Sequence, residues 1–327
     1  MSLFSAVTDF LKPAPPLDPS VRKALGRVAE LVDPMLATTP GFEKHLSGPV
    51  QHALGYCDGL VAALPGPIDI NRKAFASDPL VHALFATADD IDQMLGRSQA
   101  VRDFLEEPCS WDSKFFYAMF AARRQHKKQL GIARQGEVIR TDVPQLVLYF
   151  SGQTLIEPSC QLDVTLRGLR CKALESLLYT FHAHVEALRH ERDGLRSDVA
   201  TERAHLAVLR SSSGSNEREV GTRHLAELDA RLRQTAASLM PEHLIDALGE
   251  YLNSPEPALH LTPVSIAVDR LGIVRDDASP EVHTLNFPEL TARDRRLHLA
   301  MLARISRDEA LEAVEMVRDQ QHRFLLI

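Results

Sequence analysis

The chain has 327 residues, 45% hydrophobic and 25% charged, which supplies core material for about two domains and excludes a disordered or low-complexity chain. Net charge is −7, with 29 Arg against 8 Lys, so the molecule as a whole is no general polyanion binder. Four cysteines with no CxxC pair exclude a disulfide scaffold and a clustered zinc site, and read as separate reduced thiols.

At the N-terminus, Leu3, Val7, Phe10 and Leu11 share one face of a short amphipathic segment. Pro13, Pro15, Pro16 and Pro19 then make a stiff spacer, so residues 1–17 form a segment and linker of their own. This start lacks the basic region and long apolar run of a signal peptide. No stretch approaches the ~20 apolar residues of a membrane-spanning helix, and the expected location is cytoplasmic.

Residues 18–131 read as an all-helical domain. Asp18-Pro19-Ser20 opens a helix with Val21, Leu25, Val28, Leu31 and Val32 as its apolar stripe. A second is expected from about Pro49 to Leu64, ended by Pro65-Gly66-Pro67, and Ser77-Asp78-Pro79 caps a third. Thr87 with Asp90 resembles a capping box for a helix over 88–107. Ser110 or Asp112 would open a last helix that Gly131 terminates.

Beyond Gly131 the period shifts towards strands. Gly136 to Phe150, Gln153 to Glu157 and the alternating Leu162–Leu166 are candidates, as are Leu259 to Val268 and Val282 to Phe287. Asp269-Arg-Leu-Gly272 reads as a hairpin turn leading into Ile273-Val274. Pro144 and Pro263 point to edge positions or to interruptions in this sheet. The segment from Ala292 to about Arg323 is expected to be an amphipathic helix carrying Leu297, Ala300, Met301, Ile305, Leu311, Val314 and Val317. Residues 132–172 with 256–327 would then make a small α+β domain around a mixed or antiparallel sheet.

Between the β-rich groups lies the most regular pattern in the chain. Leu174, Leu178, Phe181, Val185, Leu188, Arg192, Leu195, Val199, Glu202, Leu206 and Leu209 are spaced alternately by four and three. The pattern resumes at Leu225, Leu228, Leu232, Thr235 and Leu239 after a Ser-rich break over 211–216. Residues 173–255 therefore read as an antiparallel coiled-coil hairpin inserted in the sheet domain, with its tip near 211–216. The fold class is mainly α with a small β-sheet, α+β overall.

No GxSxG, GxxxxGK, GxGxxG or HExxH motif occurs, and no catalytic, cofactor-binding or metal residue is assigned. His182, Glu186 and His190 share a helical stripe but spread too far along it to converge on one ion. Asp89, Asp90 and Asp92 suit a helix N-terminus. Residues 111–172 carry net +5 while every other block is negative. The candidate anion-binding residues are Arg123, Arg124, Lys127, Lys128, Arg134 and Arg140, with a second cluster at Arg293, Arg295, Arg296, Arg304 and Arg307.

These features favour a non-catalytic interaction protein, an adaptor, assembly or regulatory factor that uses the hairpin seam for homodimerisation or to hold a protein partner. Binding of nucleic acid or another polyanion through 123–140 and 293–307 is the less favoured reading. An enzyme without a local motif, with His126, Asp142 and Asp269 as a candidate trio, comes third.

Overall fold

The computed structural model describes residues 17–135, 138–209, 215–275, 282–292 and 297–324. The N-terminal segment up to residue 16, most of the hairpin tip, and Arg293, Arg295 and Arg296 lie outside the described residues. The chain groups into two compact units, one of residues 1–55 with 178–255 and one of residues 56–177 with 256–327.

The first unit is helical. Helix α1 (Pro19–Leu31) begins where Asp18 accepts a hydrogen bond from Ser20 N at 2.7 Å, with proline in its first turn, and it buries Val21, Ala24, Leu25 and Val28. A 3-10 turn (Pro34–Thr38) follows, capped by Asp33 and burying Leu36. Helix α2 (Phe42–Ala62), which belongs to this unit up to Gly55, starts at Phe42 rather than near Pro49, and the proline sits inside it. Leu46, Val50 and Ala53 are fully buried on one stripe, so packing outweighs the backbone hydrogen bond that Pro49 cannot donate.

Helix α7 (Leu162–Leu209), 48 residues and ~72 Å at 1.5 Å per residue, contributes its residues from Leu178 onward to this unit. Helices α8 (Ser215–Ser238) and α9 (Pro241–Leu252) complete the unit. Phe181 packs its ring 5.4 Å from that of Tyr251 on α9, and the His182 imidazole sits 3.0 Å from the Val32 carbonyl oxygen. Further along, Leu195, Val199 and Leu228 form a cluster with Leu225 and Leu232.

The second unit is built on a six-stranded sheet. Its elements in chain order are β1 (Ile68–Asp69), α3 (Arg72–Ser77), α4 (Pro79–Leu84), α5 (Asp89–Arg97), α6 (Gln99–Glu106), β2 (Phe115–Gln135) and β3 (Val138–Ser159). The N-terminal turns of α7 come next, and β4 (His260–Val268), β5 (His283–Thr291), β6 (Leu297–Ser306) and α10 (Arg307–Phe324) follow. Strands run in the order β3-β2-β6-β5-β4, all antiparallel, with β1 joining β6 in parallel at Ile68↔Ala303. Pro144 and Pro263 fall on the two edge strands, where no second neighbour needs their missing N–H.

Alternation on β2 sends Phe116, Ala118, Phe120 and Ala122 into the main core beside Leu95, Phe104, Met301 and Ala313. The opposite face supplies Met119, which packs with Val61, Leu169 and Leu302. The sheet therefore has apolar clusters on both faces.

Four local expectations are corrected. The helix expected over 112–131 is strand β2, because Phe116, Ala118, Phe120 and Ala122 bury with period two between β3 and β6, against the helix-favouring Ala, Arg, Lys and Gln that surround them. The segment Leu162–Leu166 is the first turn of α7, and its working period is Leu162, Leu166 and Leu169, all packed on Val61 and Leu302. The closing amphipathic helix is divided: Leu297, Ala300, Met301 and Ile305 belong to β6, where Leu299 to Ala303 are continuously buried, as a strand covered on both faces must be. The helix over 88–107 is two helices, broken at Ser98, whose extended backbone (ψ 115°) and side chain cap α6.

Candidate interaction surfaces

The 3-4 stripe of α7 serves two different environments. Leu174, Leu178, Phe181 and Val185 are buried at 0–4% exposure, and Phe181 finds its ring partner on α9 rather than α8. Arg189 is tied to Asp33 and to Glu186. This lower part of the stripe is ordinary core, with Leu188 half-buried beside it.

The upper part differs. From Leu195 the buried positions of α7 are Leu195, Val199 and Leu206, with Glu202 and Leu209 half-buried. Across from them, α8 buries Leu228 and half-buries Leu225 and Leu232, while Leu239 is half-buried beyond its end. Contacts run in opposite senses along the two helices: Glu191 pairs with Arg231 at 3.1 Å, Arg203 with Asp229 at 3.0 Å, and a Cβ at Gly221 would meet Leu206 Cδ2 at 2.8 Å. Each helix thus dries one stripe and keeps charged side chains around it.

Strand alternation divides the first basic cluster. Arg124 lies on the face that carries Phe120 and Ala122, and holds the Glu289 carboxylate bidentately at 2.6 and 3.1 Å. Arg123 points to the opposite face and donates to His298 Nε2 at 3.2 Å. Both arginines are committed within the protein. Lys127, Lys128 and Arg140 remain exposed on the β2–β3 ribbon, beyond Arg123, the last residue of β2 that pairs with β6. Leu130 and Ile132, at 67% and 65% exposure, stand on the same ribbon, and Gln145 folds over Gly131 to donate to the Ile132 carbonyl at 3.0 Å. The side chain of Arg134 lies outside the described residues, as do Arg293, Arg295 and Arg296.

Of the second cluster, Arg304 pairs with Asp69 at 2.6 and 2.8 Å, and the Arg307 amide is bonded to the Lys114 carbonyl. The acidic run at α5 is likewise occupied, since Arg72 bridges Asp89 and Asp92.

The candidate trio is dispersed. His126 stands opposite Leu148, six residues and about 20 Å along β3 from Asp142 at ~3.3 Å per residue. Asp269 organises its own turn, accepting from Leu271 N and Ile273 N and pairing with Arg275 at 2.8 Å. Partial burial, then the neighbouring Arg124 charge, push the His126 pKa down. A groove of 390 Å³ between α6 and α10 is lined by Arg102, Leu105, Glu106, Leu311, Val314, Glu315 and Arg318, a set with no nucleophile or imidazole. Among the described residues, no cluster of three or more His, Cys, Asp or Glu could hold a metal ion, and no helix is long and apolar enough to cross a membrane.

One contact escaped any sequence pattern. Cys160, just before α7, donates its thiol to the Cys109 carbonyl oxygen at 2.8 Å. The two residues are 51 positions apart, so no local spacing could have announced them.

No family model, curated protein or solved structure matches this chain.

Proposed function

We propose that this chain is a non-catalytic interaction protein whose binding element is the pair of arms formed by the distal part of α7 and by α8, acting as a coiled-coil hairpin. The observation that supports it is the cluster Leu195, Val199, Leu228, Leu225 and Leu232, drawn from these two helices alone and flanked by the Glu191–Arg231 and Arg203–Asp229 pairs. Two helices that dry only one narrow stripe gain little stability by themselves. Ordering them is worthwhile when their remaining surface is used, and a second copy of the chain is the occupant tested first.

The test is light scattering of the full chain beside a variant in which residues 190–238 are replaced by a short Gly-Ser turn. The reading predicts a dimer for the full chain and a monomer for the variant, with equal helical signal from the rest. Equal masses for both proteins would remove self-association through the arms.

A second reading is favoured by one observation, the exposure of Lys127, Lys128 and Arg140 on a ribbon that β6 does not cover. There the chain would hold a polyanion. Lys127→Glu/Lys128→Glu/Arg140→Glu should abolish binding to a duplex oligonucleotide, and binding by the unaltered chain should weaken steeply between about 50 and 200 mM salt. Salt-independent binding, or none, would eliminate this reading.

A further inference from the structure

The four cysteines occupy very different surroundings. Cys57 is fully buried, and burial pushes its thiol up to about 12, so it is inert. Cys171 is exposed. Cys109 is exposed and Cys160 half-exposed, and the Cys160 thiol donates to the Cys109 carbonyl oxygen at 2.8 Å. Cys109 sits in the 3-10 turn Pro108–Ser110 behind α6, while Cys160 begins the two-residue β3–α7 connection. Both belong to the sheet-containing unit.

We infer that Cys109 and Cys160 form a reversible redox site that takes up a small-molecule disulfide such as glutathione disulfide and closes into an intramolecular disulfide. Three features of the geometry carry this. Cys160 Sγ already lies 2.8 Å from the Cys109 carbonyl oxygen, so the two residues are neighbours before any bond forms. Both are reachable from solvent, which a reagent requires. Cys160 also lies two residues before Leu162, the first residue of the 48-residue α7, where the chain is held by a long regular element.

The roles of the two sulfurs differ. Cys109 donates to Glu107, whose Oε2 is 3.4 Å away, and the neighbouring Cys160 thiol, then burial, hold it as a thiol up to about 11. Cys160 is therefore the attacking sulfur. Its thiolate displaces one glutathione thiolate from glutathione disulfide and forms a mixed disulfide. Cys109 then attacks the Cys160 sulfur, its proton passing to the departing second glutathione thiolate. The two protein thiols lose two electrons, glutathione disulfide gains them, and both protons end on the two glutathione molecules. The new bond would tie the turn behind α6 to the start of α7 and enclose the β2–β3 hairpin between its ends.

The test uses the full chain equilibrated in glutathione redox buffers, quenched in acid, alkylated and mapped by mass spectrometry. The expected product is a peptide pair linking Cys109 to Cys160, with Cys57 still reduced and reversal by dithiothreitol. Cys109→Ser should accumulate a Cys160–glutathione mixed disulfide that cannot resolve, whereas Cys160→Ser should leave Cys109 unmodified. Absence of the linked pair at every buffer ratio would overturn the inference. So would its appearance only together with oxidised Cys57, because that would mark unfolding as the cause. The mapping of the unaltered chain decides the matter even where a variant fails to fold.

Discussion

Arg124 on β2 and Glu289 on β5 grip each other through two hydrogen bonds, 2.6 and 3.1 Å, although β6 runs between their strands. The carboxylate is only 4% exposed and the guanidinium 22%, so the pair lies within the sheet unit and faces its main core. Removing one partner leaves the other charge buried without compensation. Arg124→Ala should therefore cost about 3 kcal/mol or more, whereas Arg124→Leu/Glu289→Leu together should cost clearly less. Urea unfolding of both variants checks this, and an Arg124→Ala protein as stable as its parent would contradict it. Arg124 is thus an unsuitable probe of anion binding, since its loss would weaken the sheet itself.

Helices α5 and α10 approach so closely that only glycine fits at position 96. A Cβ there would stand 2.4 Å from the Ala313 carbonyl oxygen and 2.5 Å from Val317 Cγ2. Gly96→Ala should destabilise by about 1–3 kcal/mol through overpacking. Gly26, inside α1, has nothing within 4 Å of its would-be Cβ, so Gly26→Ala should stabilise by about 0.5–1 kcal/mol. Opposite signs in paired thermal melts are the expected result, and a shared sign would refute the packing account.

Asp69 and Arg304 lock β1 onto β6, and the hydrogen bonds from Arg304 hold the Asp69 carboxyl below its ordinary range. A depressed folded-state value means stability that is present above the unfolded carboxylate pKa and lost as pH falls through the folded one. Both side chains are 43% exposed, so solvent screening keeps the contribution below about 1 kcal/mol. Asp69→Asn should accordingly be less stable than the parent at pH 7 and approach it in acid. Unfolding curves collected from pH 7 down to pH 2 test this, and a constant difference across that range would exclude the linkage.

Short-range grammar was legible at several helix starts. Asp18 with Pro19 opens α1, Asp78 with Pro79 opens α4, and Thr87 N does bond Asp90 Oδ2 at 2.8 Å. These devices act over two to four residues, so composition and spacing are enough to reveal them. The leucine stripe of α7 was legible as a helix for the same reason, since a 3-4 repeat admits only one regular backbone.

Partnership was not legible. Leu195 and Phe181 occupy equivalent steps of one repeat, yet the first packs with Leu228 and the second with Tyr251. Arg123 and Arg124 are neighbours in the chain, but pleating sends one to His298 and the other to Glu289. β6 looked like a helix because a strand buried on both faces loses its alternation, and its place beside β2 depends on pairing 175 positions away. Helix starts, turns and stripes follow from neighbours a few residues apart, which linear order contains. Which stripe meets which, which charge is neutralised and which cysteines become neighbours depend on contacts closed across long loops, and those exist once the chain has folded.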